Sequence, residues 1–122
     1  RFEVAQPPDP VDIDIMDLSD YTTGRKWMNM VVRVQNVTVQ ADVSSASLSS
    51  GRLSVGLMAA TVAGGTKCSD PFPKPPTITN ELFDATTLNI PKGTVVKSVT
   101  GVVTYFCNIH LAPRYASDVV VQ

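Results

Sequence analysis

The sequence predicts an all-β domain that closes, or nearly closes, into a small barrel of about five to six strands. One observation is the stretch from Gly93 to Asn108, which is rich in Val, Thr and aromatic residues that favour pleated strands. A second long stretch, from Trp27 to Val39, has the same character. In both stretches the apolar residues change from one face to the other, and two strands that bend in this way favour a barrel.

The long strand that follows the turn signal Pro91–Gly93 is predicted to bend at its middle. Gly101 lies there, and a glycine inside a strand often marks a bend or a close approach of two backbones. Polar residues interrupt both faces, so neither face is purely core. The predicted faces are Val95, Val99, Val103, Tyr105 and Cys107 on one side, and Val96, Val102 and Phe106 on the other.

The chain is divided into an extended lead-in at residues 1–10, which holds three prolines, and a barrel domain at residues 11–122. Residues 11–15 alternate apolar and acidic, which predicts a short strand. Its apolar side chains, Val11, Ile13 and Ile15, should point inward, with Asp12 and Asp14 in solvent. Residues 17–21 form either one helical turn or a loop.

The strand from Trp27 to Val39 should carry Met30, Val32 and Val34 on one face. Because the apolar parity changes after Gln35–Asn36, we predict a bulge or strong coiling there. Asn36 also begins a formal glycosylation sequon, although an ordinary polar strand position is the favoured interpretation.

The remaining elements are shorter. Residues 41–58 are predicted to form a hairpin whose second strand, residues 52–58, turns Leu53, Val55 and Leu57 inward. A long connection rich in Gly and Pro covers residues 59–76, and residues 77–84 form a short strand or a helical turn. Short extended segments at residues 109–111 and 119–121 complete the barrel.

Composition narrows the possible functions. The 122 residues carry a net charge of −1, which argues against a strong general affinity for nucleic acid or an anionic membrane. No apolar run approaches the roughly 18 residues of a membrane span.

The two cysteines, Cys68 and Cys107, form either one disulfide, which we favour and which implies an oxidising compartment, or two buried thiols. The chain begins at Arg1 without Met, which is typical of a processed protein or an excised domain.

Three segments together resemble a known bacterial module. They are Trp27–Val39, Ser98–Tyr105 and Leu111–Asp118, and the resemblance extends over roughly residues 11–122. The module is the OB-like accessory domain of secreted nucleases and of exported multidomain proteins or lipoproteins. The resemblance implies an OB-like Greek-key barrel that accompanies a catalytic domain without being the catalyst. The residues on its motif positions are Arg33, Asn36, Gly101, Tyr105, Pro113, Arg114 and Asp118.

The candidate site residues are few. Arg114 and Asp118 are predicted to stabilise the final turn, and His110, as a lone histidine, is predicted to be structural. A calcium site in the acidic segment from Asp9 to Asp20 is disfavoured, because the spacing is that of the solvent face of a strand. No metal or cofactor is therefore predicted. The best residues for a nucleic-acid face are Arg33, Arg52, Lys97, Tyr105 and Phe106.

These features favour a non-catalytic binding or assembly module of an exported protein, extracellular, periplasmic or at the bacterial cell surface. The loops at residues 44–51 and 64–76 are predicted to contact a protein or glycan partner. The alternative is an accessory domain that binds single-stranded nucleic acid for a secreted nuclease. An enzyme is not predicted, because the sequence shows no convergent set of titratable residues.

Overall fold

The computed structural model describes residues 9–43, 55–58, 69, 74–106 and 108–121. Within them lie one short α-helix, Tyr21–Gly24, and four 3₁₀ turns, at Ile15–Leu18, Arg25–Trp27, Ala85–Thr87 and Ala116–Asp118. The strands are β1 (Val11–Asp12), β2 (Val31–Val39), β3 (Val55–Met58), β4 (Thr77–Ile78), β5 (Val95–Phe106), β6 (Asn108–Ala112) and β7 (Val119–Val121).

Five of the strands close into a barrel in the order β2-β3-β4-β6-β5, and β5 pairs with β2 to complete the circle. The β4–β6 pair is parallel, and the other four pairs of the barrel are antiparallel. Strands β1 and β7 add to the outside, beside β2 and β5 respectively. The predicted small all-β barrel is confirmed, and five strands closed in this way are the architecture of an OB-like fold.

The change of face in β2 falls at Asn36, where the sequence predicted a bulge or strong coiling, but the pairing of β2 with β5 has no register shift at this point and therefore no bulge. Val34 and Val37 are both buried, and Asn36 between them adopts a left-handed backbone with φ of 54°. Two outward residues, Gln35 and Asn36, therefore follow each other in the strand. The pairing with β5 keeps its register across this point because β5 changes face at the same level.

In β5 the change of face falls at Lys97. Val96 and Val99 are buried, whereas Val95 is exposed, so the prediction that Val95 shares a face with Val99 is wrong. Relative to β7, strand β5 carries an extra residue between Val96 and Ser98. A β-bulge inverts the alternation of inward and outward side chains beyond it, which is why a constant period of two fails here.

The predicted close approach at Gly101 is also confirmed. A Cβ atom on Gly101 would lie 2.5 Å from the backbone oxygen of Ala112 in β6. Such a contact is too short for any side chain, and backbone atoms cannot rotate away from it. Glycine at this position therefore allows the backbone at the end of β6, at Ala112 and Pro113, to lie directly against β5.

The N-terminal segment departs from the prediction. Strand β1 has only two residues, Val11 is 40% exposed, and Ile15 already belongs to a 3₁₀ turn. That turn begins because the Asp14 carboxylate accepts the backbone N–H of Met16, at 2.9 Å. The inward strand face predicted for residues 11–15 is thus wrong for Val11, although Ile15 is buried.

The start of β2 is corrected in the same way. Trp27 ends a 3₁₀ turn, and β2 begins at Val31. Met30 lies before the strand and is 41% exposed, so it does not share the buried face of Val32 and Val34. The helical segment before β2 contributes Ile15 and Leu18 to a core made mainly of valines.

Two further predictions meet the structure only in part. Strand β3 pairs antiparallel with β2, as the predicted hairpin requires, with Val55 and Leu57 buried. Residues 52–54 of that predicted strand, the loop at 44–51 and most of the loop at 64–76 lie outside the described residues, as do Cys68 and Cys107. In the part of the chain described, none of the helices has the length and apolar character needed to cross a membrane.

Candidate binding groove

Strands β1, β2, β5 and β7 lie side by side, and their outer face carries a shallow polar groove. The groove consists of two adjoining depressions of about 500 Å³ and about 410 Å³. Gln35 and Asn36 line both of them and therefore form the centre. We call this surface the outer groove; it is lined by Asp12, Ile13, Asp14, Ile15, Arg33, Gln35, Asn36, Lys97, Ser98 and Val120.

A two-pronged ion pair joins β1 to β2 within the outer groove. Arg33 Nε lies 2.6 Å from Asp12 Oδ1, and Arg33 Nη2 lies 2.8 Å from Asp12 Oδ2. The side chains remain 37% and 55% exposed, respectively. The hydrogen bond from Arg33 lowers the pKa of Asp12 below its ordinary value and raises that of Arg33. Asp12 is therefore an ionised acceptor at neutral pH, held in a fixed orientation.

The two central residues are presented by the change of face in β2. Gln35 Nε2 donates to Asp12 Oδ1 at 3.4 Å, which connects the amide to the ion pair. Asn36 has positive φ, a conformation that asparagine tolerates better than most residues. Such backbone positions persist where the surroundings fix them, and they are frequent at ligand sites.

The formal charges along the groove cancel. Asp12 and Asp14 oppose Arg33 and Lys97. Asp12 and Arg33 neutralise each other directly, and Asp14 is engaged at the start of the 3₁₀ turn. The outer groove thus presents hydrogen-bonding groups of both kinds without a net charge.

The structure separates the residues predicted for a nucleic-acid face. Arg33 and Lys97 both line the outer groove, but Tyr105 lies eight positions further along β5 than Lys97, which is about 26 Å in a strand. Arg52 and the side chain of Phe106 lie outside the described residues. Among the described members of the set, Lys97 and Tyr105 therefore lie at different places along β5.

Tyr105 instead contacts Tyr21 of the α-helix. The ring centroids are 5.3 Å apart, with 70° between the planes, which is an edge-to-face pair. The two side chains are 48% and 41% exposed, respectively. Arg25 follows Tyr21 by four residues, and its backbone N–H donates to Tyr21 O. Residues four apart share one helix face, so Arg25 lies on the same side of the helical segment as Tyr21. Sequence reasoning missed Tyr21, since its contact is with a residue 84 positions away.

Arg114 and Asp118 form a second two-pronged pair at the turn before β7. Asp118 Oδ2 accepts from Arg114 Nε at 3.0 Å and from the Arg114 backbone N–H at 2.8 Å, and Oδ1 accepts from Nη2 at 3.1 Å. The side chains are only 17% and 8% exposed. The pair closes the turn on itself, as expected for a residue pair that stabilises the final strand.

His110 lies in β6 and is buried, with Nδ1 hydrogen-bonded to Thr77 Oγ1 across the parallel β4–β6 contact.

In the acidic N-terminal segment, Asp14 and Asp20 accept backbone N–H groups at the starts of helical turns. Within the described ranges, no group of three or more His, Cys, Asp or Glu side chains is placed to hold a metal ion. In both turns the sequence signal is an Asp placed two residues before the backbone N–H that it accepts, that of Met16 for Asp14 and that of Thr22 for Asp20.

No protein-family model, curated protein sequence or solved structure matches this chain.

Proposed function

We propose that this barrel is a non-catalytic binding or assembly module of an exported bacterial cell-envelope or extracellular protein, which contacts a protein or glycan partner. The observation that carries the proposal is the outer groove, a concave surface on four adjacent strands, three of which, β1, β2 and β5, present hydrogen-bonding side chains. Strands hold side chains more rigidly than loops do, which favours recognition. The predicted loop contacts at residues 44–51 and 64–76 are a separate part of the proposal.

A binding role is supported by the electrostatics of the groove. A general acid or base works best when its pKa lies near the operating pH. Asp12 has the opposite character, because Arg33 lowers its pKa and holds it ionised. His110, the single histidine of the chain, is buried against Thr77 and does not line the outer groove. These groups are arranged to accept and donate hydrogen bonds without transferring protons.

The exported location rests on two further considerations. Cys68 and Cys107 permit one disulfide, which persists in oxidising compartments. The resemblance of the three segments to an accessory module of secreted proteins and lipoproteins points to the same compartment. The location is proposed on these sequence features.

The proposal is tested by incubating the immobilised domain with a solubilised cell-envelope fraction. One portion is untreated, one is digested with protease and one is oxidised with periodate, which destroys vicinal diols of glycans. Saturable retention that is lost after either treatment supports a protein or a glycan partner, respectively. If the immobilised domain retains no component from any of the three portions, the proposed function is rejected.

The second candidate function is binding of single-stranded nucleic acid, and the Tyr21–Tyr105 pair favours it. Exposed aromatic rings provide stacking surfaces for bases, and Arg25, four residues after Tyr21, supplies a positive charge on the same helical segment. Fluorescence polarisation with a labelled oligonucleotide at low and high salt tests this candidate. Binding should weaken steeply with salt and with Tyr105→Ala, whereas Tyr115→Ala, an exposed tyrosine elsewhere, should bind normally. Absence of binding at low salt excludes it.

A further inference from the structure

We infer that the outer groove binds a neutral oligosaccharide. This inference rests on the proposed binding function and names the chemical class of its ligand. OB folds in general bind oligomers on the face of their second and third barrel strands, which are β3 and β4 here. The outer groove lies elsewhere, on β2 and β5 and their flanking strands.

The charge arrangement selects against acidic ligands. Phosphate binding draws its affinity from cations that lack a protein counter-charge. Two nitrogens of the Arg33 guanidinium, Nε and Nη2, already donate to the Asp12 carboxylate, at 2.6 and 2.8 Å. The formal charge of Lys97, in one depression, is offset in the sum over the whole groove by that of Asp14, which lines the other depression. A ligand without net charge therefore fits the groove better than a nucleic acid or an acidic peptide.

The hydrogen-bonding groups match the hydroxyls of a sugar. A sugar hydroxyl donates one hydrogen bond and accepts others, so its best partners are groups of mixed character. Gln35, Asn36 and Ser98 each combine a donor with an acceptor. The ionised Asp12 accepts three hydrogen bonds from Arg33 and Gln35, which leaves about one further lone-pair site on its carboxylate. Val120, which is exposed at the rim, offers an apolar surface for the C–H face of a sugar ring.

These groups are held in place before a ligand arrives. Asp12 is fixed by both prongs of Arg33, and the Gln35 amide bonds to the same carboxylate. The backbone on either side of Asn36 is fixed by the pairs Gln35–Ser98 and Val37–Val96 of the β2–β5 ladder. Groups that are already ordered lose little entropy on binding, which is what a weakly hydrophobic ligand requires.

The shape favours a chain of sugars over a single ring. The groove crosses four strands, which corresponds to three inter-strand spacings or about 14 Å. Its two depressions meet at Gln35 and Asn36, so one continuous occupant contacts both. The central residues should therefore contribute most to binding.

The test is an NMR titration of the ¹⁵N-labelled domain with three neutral probes, cellotetraose, maltotetraose and the fully N-acetylated chitotetraose. We expect at least one of them to shift the backbone amides of Gln35, Asn36, Lys97 and Ser98 saturably. The dissociation constant should be about 1 mM, as is reasonable for an open polar groove. At constant pH, the dissociation constant should change by less than about twofold between low salt and about 0.5 M salt, because neither the ligand nor the groove carries a net charge.

Gln35→Ala and Gln40→Ala are the matched variants. Gln35 lies in β2 and Gln40 directly follows that strand; both are exposed, but only Gln35 lines the groove. We expect Gln35→Ala to weaken binding about tenfold while preserving the dispersed spectrum of a folded domain, and Gln40→Ala to bind like the native protein. Asp12→Asn, which keeps the shape but loses the charge of the ion pair, should also weaken binding.

Three results would overturn the inference: no shifts with any probe at about 10 mM, shifts confined to residues outside the groove, or equal affinity of the two glutamine variants. Failure of the inference is distinguishable from failure of the proposed function. If no probe shifts the groove residues but the domain retains an envelope component in a protease-sensitive way, the oligosaccharide is rejected and the binding module is kept. If no probe shifts the groove residues and no envelope component is retained, both the oligosaccharide and the proposed binding function are rejected.

Discussion

The molecule contains two arginine–aspartate pairs of the same two-pronged geometry in contrasting surroundings. Arg114 and Asp118 are four residues apart, almost buried, and close the turn before β7. Asp12 and Arg33 are 21 residues apart, largely exposed, and link β1 to β2 at the outer groove. Geometry alone thus does not distinguish a stabilising pair from one available to a ligand.

The difference lies in what surrounds each pair. Removing one partner of a shielded pair leaves an uncompensated charge away from water, which is costly. Removing one partner of an exposed pair lets water replace it, so the cost is small and depends on salt. We therefore expect the closing turn to determine stability and the outer groove to determine binding, and each prediction below tests that division.

The largest effect is expected for Asp118→Ala. The substitution removes three hydrogen bonds to Arg114 and leaves its guanidinium shielded from solvent without a counter-charge. The free energy of unfolding should fall by about 3 kcal/mol, measured by urea denaturation. Asp118→Asn, which keeps an acceptor for the Arg114 N–H, should lose less. An Asp118→Ala protein as stable as the native one would contradict the structural role of this pair.

Gly101→Ala should have the next largest effect. The added Cβ would lie 2.5 Å from the Ala112 oxygen, next to the closing turn, so β5 and β6 must separate. We expect a loss of about 2 kcal/mol in the free energy of unfolding. Gly56→Ala is the control, because its nearest neighbour, at 3.3 Å, is the flexible Gln40 side chain. Equal stability losses in the two variants would show that the contact between Gly101 and the Ala112 backbone is not tight.

Asn36→Ala tests the groove from the backbone side. Alanine tolerates φ of 54° less well than asparagine, so the unfolding free energy should fall by about 1 kcal/mol. Asn36→Gly should recover that loss, since glycine adopts positive φ freely. Both variants should nevertheless lose binding, because both lack the amide. If Asn36→Gly kept full affinity for the oligosaccharide, the amide would not be part of the site.

The smallest effect on stability is expected for Arg33→Ala. Because the pKa of Asp12 is lowered in the folded protein, the pair stabilises the fold above the unfolded pKa of about 4. This contribution disappears as the pH falls through the folded value. Thermal unfolding of the native and Arg33→Ala proteins should therefore differ slightly at neutral pH and converge in acid. A difference that grew in acid would reverse the sign of the proposed linkage.

The sequence predicted much of the fold because its signals are local. Runs of β-branched residues gave the long strands, and the change of apolar parity gave the irregularity at Asn36. The Arg114–Asp118 pair was accessible for the same reason, since four residues of one turn must lie close together. The errors at Val11 and Val95 arose where a cap or a bulge interrupted a simple alternation.

The sequence by itself determined that this chain forms a strand-rich barrel with a tight closing turn, because alternation, turn residues and short spacings act within a few positions. Only the tertiary structure decided that Arg33 pairs with Asp12, that Tyr105 contacts Tyr21 and lies far from Lys97, and that Gln35 and Asn36 lie at the centre of one groove. Those contacts depend on the order and register of the strands, which place residues distant in the chain side by side.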